Sequence, residues 1–165
     1  MSETYVECLV KPEAPLLPRF LRIVLIMLTV VFGFLTLLGI GMALLVAILA
    51  GVGAYFAHLN ADVEYEYLYL DKEISVDKIM AQTRRKKVAT FEVERMEILA
   101  PIKSYRLDNY KNRTCKEIDY SVRREEQPDR RYVMYYEGNQ KIILSPSEEM
   151  LKAIKNVAPR KVFTD

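Results

Sequence analysis

The hydrophobic pattern of the chain is dominated by one apolar block, residues 20–59. Within it, residues 23–57 carry no formal charge. As a single helix at about 1.5 Å per residue, that stretch would be roughly 52 Å long, far more than the about 30 Å of bilayer hydrocarbon. Gly39 and Gly41 lie near the middle, and glycine allows a chain to reverse tightly. The pattern therefore predicts a transmembrane helical hairpin. Its segments are a helix over 20–38, a turn over 39–41 and a helix over 42–59.

Small residues recur at three- and four-residue steps in both predicted helices. Such a stripe lets helix backbones approach closely in lipid, where apolar burial cannot drive association. The alternative is that Gly and Ala are simply common in membrane helices. We favour a packing interface formed by Thr29, Gly33 and Thr36 in the first helix and by Ala43, Ala47, Ala50, Gly51 and Ala54 in the second.

Beyond the block the pattern changes to an alternation of period two, which is typical of β-strands. The clearest case is 63–70, where Val63, Tyr65, Tyr67 and Tyr69 share one face. Residues 94–102 suit a helical turn or a strand, and 104–112 suit a loop or a short helix. The tyrosines of these strands are interpreted as core packing, with a peptide groove as the alternative. The predicted strands are 63–70, 73–79, 88–93, 115–122, 130–137 and 140–144, with turns at 71–72, 125–129 and 138–139.

Two further elements lie at the ends of the chain. Ser145 as N-cap, Pro146 at the first helical position and Glu148 three residues after the cap predict a C-terminal amphipathic helix over 146–157. At the other end, residues 4–10 of the segment 1–19 are rich in β formers. They either add a strand to the C-terminal sheet or form a disordered tail, and the prolines after them are expected to prevent regular structure up to the bilayer.

Length and charge limit the part of the chain after the membrane segment. The chain has 165 residues, which leaves room for one domain of about a hundred, residues 62–165. Residues 60–165 hold 21 Lys and Arg against 19 Asp and Glu, a net charge of +2. This balance argues against a nucleic-acid partner.

The basic residues nearest the apolar block predict its orientation. Arg19 and Arg22 precede it, Lys72 and Lys78 come after it, and the turn 39–41 has no charge. By the positive-inside rule, both ends of the block face the cytoplasm. We therefore expect a multi-pass protein of the cell membrane with both termini in the cytoplasm.

Residues that could carry chemistry are few. Cys8, Cys115 and the single histidine, His58, lack metal-ligand spacing, so no metal and no cofactor are predicted. His58 closes the second helix and is interpreted as an interfacial side chain. There is no phosphate loop, nucleophile elbow or HExxH motif, and we expect no enzyme activity. Three carboxylate pairs have structural explanations: Glu64/Glu66, Glu125/Glu126 and Glu148/Glu149.

The basic run Arg84, Arg85, Lys86 and Lys87 is the remaining candidate site. A domain tethered near the bilayer can gain on the order of 1 kcal/mol per Lys or Arg from anionic lipid. The alternative is a solvated turn that protects a strand end from aggregation.

Two levels of resemblance extend these predictions. Short antiparallel strands followed by one C-terminal helix resemble a pleckstrin-homology-like (PH-like) fold, which implies a bent sheet pair or β-barrel plugged by the helix. The whole chain resembles a family of small Firmicutes membrane proteins with PH-like domains. That resemblance rests on residues 5–11 (Tyr-Val-Glu-Cys-Leu-Val-Lys), 64–67 (Glu-Tyr-Glu-Tyr), 145–150 (Ser-Pro-Ser-Glu-Glu-Met) and 158–162 (Ala-Pro-Arg-Lys-Val). It carries over no catalytic or ligand residue.

The sequence as a whole predicts an α+β membrane protein with a two-helix hairpin and a mainly β domain of about six or seven antiparallel strands. We expect a non-catalytic module that presents this domain at the cytoplasmic membrane face for protein or anionic-lipid interaction. The alternative is an accessory subunit whose hairpin packs against a larger transporter or membrane enzyme.

Overall fold

The computed structural model describes residues 5–124 and 128–164. These residues form two compact units. A helical unit spans residues 14–63 together with 80–84, and a β unit lies within 5–13, 64–79 and 85–164. The β unit is therefore assembled from sequence on both sides of the apolar block.

The helical unit contains α1 (Leu16–Leu37) and α2 (Gly41–Ala61). Both are long and apolar enough to cross a membrane, with mean hydropathies of 2.5 and 2.0. α1 begins four residues before the predicted start, so the expectation that prolines exclude regular structure up to residue 20 is wrong. Pro18 lies in the first turn of α1, where a backbone N–H would have no helical partner, and proline is tolerated there.

The reversal between the two helices lies one residue earlier than predicted, at 38–40. Gly39 has a φ of 92°, a conformation that favours glycine, and its N–H donates to the carbonyl of Thr36 at 3.0 Å. The N–H of Ile40 donates to the carbonyl of Leu35. The turn therefore satisfies two backbone carbonyl groups at the end of α1.

The first sheet has the order β1-β2-β3-β4. Its strands are β1 (Val6–Val10), β2 (Val63–Leu70), β3 (Glu73–Met80) and β4 (Arg84–Glu92). β1 runs antiparallel to β2, with Val6 opposite Tyr69 and Val10 opposite Tyr65. Of the two alternatives for the N-terminal segment, the structure has the added strand.

The second sheet has the order β5-β7-β8-β6. Its strands are β5 (Met96–Pro101), β6 (Lys116–Asp119), β7 (Tyr132–Tyr136) and β8 (Gln140–Leu144). The ambiguous stretch 94–102 is the end of a 3₁₀ turn, Val93–Arg95, followed by β5, and a second 3₁₀ segment covers Tyr105–Tyr110. The turn predicted at 125–129 falls partly on residues 125–127, outside the described part of the chain.

Two features of the sheets differ from expectation. β6 lies parallel to β8, so the prediction of antiparallel strands alone is wrong. β6 and β8 are separated in the sequence by residues 120–139, a stretch long enough to join parallel neighbours. Among the described residues the two sheets also remain separate, each with four strands, and do not close into the expected β-barrel.

The C-terminal helix α3 (Glu148–Val157) begins two residues later than predicted. Ser147, not Ser145, is its N-cap and accepts a hydrogen bond from the Met150 N–H at 3.2 Å. The Ser145 hydroxyl instead accepts from the Val122 N–H at 3.2 Å, so it cannot cap the helix. α3 buries Met150, Leu151, Ala153 and Ile154, whereas Val157, expected on the apolar face, is exposed.

The tyrosines of β2 belong to the core. Tyr65, Tyr67 and Tyr69 are all buried. The Tyr67 hydroxyl donates to the carbonyl of Tyr120 and accepts from the Ser145 N–H at 3.3 Å. Burial raises the pKa of Tyr67 far above its usual range, so it stays a neutral hydrogen-bonding group. One side chain thereby joins β2 to two loops of the β unit.

Candidate functional site

The turn between β3 and β4 lies beside the end of α2. The Ala81 N–H donates to the carbonyl of Asp62, the residue after α2, at 2.7 Å. Ala81 and Gln82 have positive φ values of 48° and 54°, which allow the reversal between the strands. Since Arg84 comes two residues after Gln82 and belongs to the helical unit, the basic run starts close to where α2 ends.

The basic run does not precede β4, as predicted, but forms its first four residues. All four side chains are exposed. A β-strand places successive side chains on opposite faces, so Arg84 and Lys86 share one face of β4 and Arg85 and Lys87 share the other. The sequence missed this because the β-branched run that marks the strand starts only at Val88.

Arg85 is engaged within the first sheet. Its guanidinium contacts the Glu66 carboxylate on β2, and its Nε lies 2.8 Å from Asp77 Oδ2 on β3. The Glu66 side chain is only 9% exposed. A carboxylate so shielded from water needs a partner, because an unpaired charge is costly to bury. Arg85 therefore acts as a structural cation, and its predicted contact with anionic lipid competes with these ion pairs.

Glu64, two residues earlier on the same face of β2, has a second cation. Lys11 Nζ, just after β1, lies 3.1 Å from Glu64 Oε1. Each carboxylate of β2 is thus paired with a cation: Glu64 with Lys11 beside β1, and Glu66 with Arg85 on β4. This agrees with the structural role that the sequence suggested for the Glu64/Glu66 pair.

The other three members of the run are different. Arg84, Lys86 and Lys87 are exposed, and none of them forms an ion pair with any residue that the structure describes. Three cations without ion pairs in the described part of the chain, at the start of one strand, make the strongest candidate for an electrostatic contact with an external anion.

The small-residue stripe is only partly used between α1 and α2. Ala43, Ala47 and Ala50 are buried, and the methyl group of Thr29 lies 3.6 Å from where a Cβ on Gly51 would be. A Cβ on Gly33 would meet nothing within 4 Å. Leu25 packs close to Gly53, 3.4 Å from the position of its missing Cβ, a contact outside the predicted stripe. Ala54 is partly buried.

The two threonines of the stripe satisfy their hydroxyls within α1. Thr29 Oγ1 donates to the Leu25 carbonyl at 2.8 Å, and Thr36 Oγ1 donates to the Phe32 carbonyl at 2.9 Å. Neither hydroxyl therefore needs a partner from lipid or from another helix.

The remaining sequence candidates lie apart from this site. His58 is in the last turn of α2, and Glu148 and Glu149 occupy the first turn of α3, near its positive dipole end. Glu125 and Glu126 lie outside the described residues. Across 5–124 and 128–164, no group of three or more His, Cys, Asp or Glu side chains could hold a metal ion.

Fold and site together define a class of protein. Two apolar helices long enough to span a membrane are joined to a mainly β domain of eight strands in two sheets, with an amphipathic C-terminal helix. This is the predicted fold class, with eight strands where six or seven were expected.

The model of one protein family, described as bacterial PH-like domain (DUF6106), matches residues 2–164 of the chain. The protein therefore belongs to this family, and the predicted resemblance to bacterial PH-like proteins is confirmed. No curated protein and no solved structure matches the chain. A Firmicutes origin stays a prediction.

Proposed function

We propose that the protein is a non-catalytic integral membrane protein that crosses the bilayer twice and presents its PH-like domain at the cytoplasmic face. There the cations Arg84, Lys86 and Lys87 contact anionic lipid headgroups. The single observation that carries this proposal is the position of the basic run, which starts at a turn hydrogen-bonded to the residue after α2.

The pairing of β1 with β2 supports two crossings. β1 precedes α1 and β2 follows α2, yet the two strands share a five-residue antiparallel ladder. If α1 and α2 both span the bilayer, that ladder requires the chain to return to the side on which it started. Two apolar helices joined by a turn at 38–40 meet this requirement, whereas one crossing would separate the strands.

The strength of the lipid contact depends on the number of available cations. A Lys or Arg close to an anionic surface contributes about 1 kcal/mol, and the effect decays within a Debye length of about 8 Å at physiological salt. Three cations therefore supply at most about 3 kcal/mol, or roughly 100-fold in affinity. Arg85 adds little, because its charge is neutralised by Glu66 and Asp77.

The lipid contact is tested on the full chain in nanodiscs that mix zwitterionic and anionic lipid. The protein is then solubilised in detergent, and the lipids that stay bound to it are identified. We expect those bound to the wild type to be enriched in the anionic species relative to the nanodisc mixture. The triple variant Arg84→Gln, Lys86→Gln, Lys87→Gln should lose most of that enrichment. The control changes three exposed cations of the C-terminal region, Lys152, Lys155 and Arg160, to Gln. Equal enrichment in wild type, triple variant and control would overturn the lipid contact.

Topology is tested separately. Tags at each end of the chain should both be protected from external protease in spheroplasts, and the protein should stay in the membrane after carbonate extraction. Tags on opposite sides, or release by carbonate, would contradict the two-crossing arrangement.

A second candidate function is that of an accessory subunit of a larger membrane protein. The observation that favours it is the open space at Gly33 on α1. A Cβ there would meet nothing within 4 Å, so the glycine is not required for packing against α2. Gly33→Leu should then release a co-purifying membrane partner without loosening the hairpin. Gly51→Leu, which would push against Thr29, should loosen the hairpin itself.

A further inference from the structure

The two sheets of the β unit leave a groove between two unpaired strand edges. β4 and β6 are the last strands of their sheets, so each has a ladder on one side only. A groove of about 450 Å³ lies between them, and Val88–Phe91 of β4 and Ile118 of β6 contribute to its walls. A strand edge with free N–H and C=O groups is a template for another extended segment.

The aromatic side chains along the groove give it an apolar base. Phe91 and Tyr136 are buried, and their rings meet edge to face with centroids 5.2 Å apart. The Tyr136 hydroxyl accepts a hydrogen bond from the Glu92 N–H at 3.3 Å, which closes the β4 edge at this end. The segment of β4 open to pairing is therefore the part before Glu92, and it includes the basic run.

The cations of β4 select the occupant, because the acidic residues of the groove lining, Glu92 and Glu137, both pair with Arg95. Lys86 and Lys87 are exposed without an ion pair among the described residues, and both belong to this strand. An extended segment lying along β4 passes beside them, so acidic residues at that point would be attracted and basic ones repelled.

A second copy of the chain is a poor occupant. A parallel pair of two β4 strands would place their basic runs side by side, where like charges repel. An antiparallel pair would place each basic run beside Val88–Phe91, which carry no acidic residue.

We infer that the groove between β4 and β6 binds an extended segment of a partner protein, which adds a strand to the edge of β4 and carries acidic residues beside Lys86 and Lys87. Backbone pairing supplies affinity, the apolar base accepts alternate side chains, and the two lysines set the register. This inference goes beyond the lipid contact and does not rest on the proposed topology.

The experiment uses the full chain in nanodiscs of zwitterionic lipid alone, where the proposed headgroup contact plays no part. A phage library of random eight-residue peptides is selected on the wild type and, separately, on Thr90→Trp. The substitution fills the groove from an exposed position. Sequencing both outputs shows which peptides are enriched on each protein. Peptides enriched only on the wild type should combine β-branched residues with neighbouring acidic ones. Thr114→Trp, at an exposed position outside the groove lining, is the matched control.

Three measurements on the best synthetic peptide decide the inference. Its affinity should fall at least tenfold on Thr90→Trp and on the pair Lys86→Glu, Lys87→Glu, and stay within twofold on Thr114→Trp and on Lys152→Glu, Lys155→Glu. Alternate N-methylation of the peptide should also abolish binding, because it removes the donors of a β ladder. Near-UV circular dichroism of the tyrosines shows whether each variant keeps its fold.

Two outcomes would overturn the inference. One is a selection in which no sequence distinguishes wild type from a folded Thr90→Trp. The other is a peptide that binds both proteins equally or tolerates N-methylation, which would indicate attraction to the lysines alone. Neither result bears on the lipid contact, because that contact is measured on mixed-lipid nanodiscs without peptide.

Discussion

The two sheets of the β unit differ in how far apart their strands lie in the sequence. β5 to β8 all fall between residues 96 and 144, whereas β1 is separated from β2 by residues 11–62, which include both apolar helices. Closing a flexible loop of that length costs on the order of 3 kcal/mol in chain entropy. The helical hairpin brings its two ends together and lowers that cost. The first sheet therefore depends on the two apolar helices between its strands, and the second does not.

The largest expected change in stability comes from a substitution in β1, the edge strand of the first sheet. Val10 is 5% exposed and pairs with Tyr65, whereas its neighbour Leu9 is 59% exposed on the opposite face. Val10→Ser should lower the free energy of unfolding by about 2–4 kcal/mol, because it removes apolar burial and leaves a hydroxyl in the core. Leu9→Ser should change it by less than about 0.5 kcal/mol.

Thermal unfolding of the full chain, followed by tyrosine circular dichroism in nanodiscs, makes this comparison. Equal stability of Val10→Ser and Leu9→Ser would show that β1 contributes nothing to the β unit.

The next effect concerns the link between the sheets. Tyr67→Phe removes the hydroxyl that bonds the Tyr120 carbonyl and the Ser145 N–H, and leaves both groups without that partner. The expected cost is about 1–3 kcal/mol. Tyr105→Phe, at a position that is 68% exposed, should cost nothing measurable. Hydrogen exchange at Ser145 should accelerate in Tyr67→Phe alone; unchanged exchange would contradict the proposed link.

A smaller effect distinguishes Arg85 from its neighbours on β4. Arg85→Gln leaves the shielded Glu66 carboxylate without its cation and should lower the free energy of unfolding by about 1–2 kcal/mol. The expected loss is kept small because the arginine itself is half exposed and solvent screens its charge. Lys87→Gln, two positions further on, should be neutral in stability. Chemical denaturation of both variants tests the assignment, and a neutral Arg85→Gln would mean that these ion pairs do not compete with lipid for Arg85.

The smallest effect depends on pH and lies just before β7 of the second sheet. Hydrogen bonds from Arg131 hold the pKa of Asp129 below its usual range. The stabilisation is therefore complete above the carboxyl's ordinary pKa and is lost as the pH falls through the lowered value. Asp129→Asn should cost about 1 kcal/mol at pH 7 and less below pH 3. A pH-independent loss would mean that the carboxylate charge has no part in this contact.

The alternation of side chains was enough to locate most strands, because burial on one face imposes period two. Gln140–Leu144 has the predicted bounds, and β2 lies where 63–70 was expected. The start of β4 was missed because four consecutive cations hide the alternation, and the pairing with β3 decides the strand there. The parallel contact of β6 with β8 was missed for the same reason, since pairing between distant segments leaves no local pattern.

The candidate site was predictable only in part. The sequence identified the four cations, but only the structure separates Arg85, held by Glu66 and Asp77, from Arg84, Lys86 and Lys87. The groove between β4 and β6 has no signal in the sequence at all, because two strands far apart in the chain form it. In α2, Ala43, Ala47 and Ala50 of the predicted packing stripe are buried, and the stripe as a whole stays a prediction.

The ladder between β1 and β2 has a consequence for biosynthesis. The ribosome releases β1 first, but its partner strand emerges only after both helices have been made. Until then β1 is a strand without its partner. If the helices insert as proposed, maturation of the domain follows membrane insertion, and a chain whose helices fail to insert would meet quality-control proteases with its first sheet unfinished.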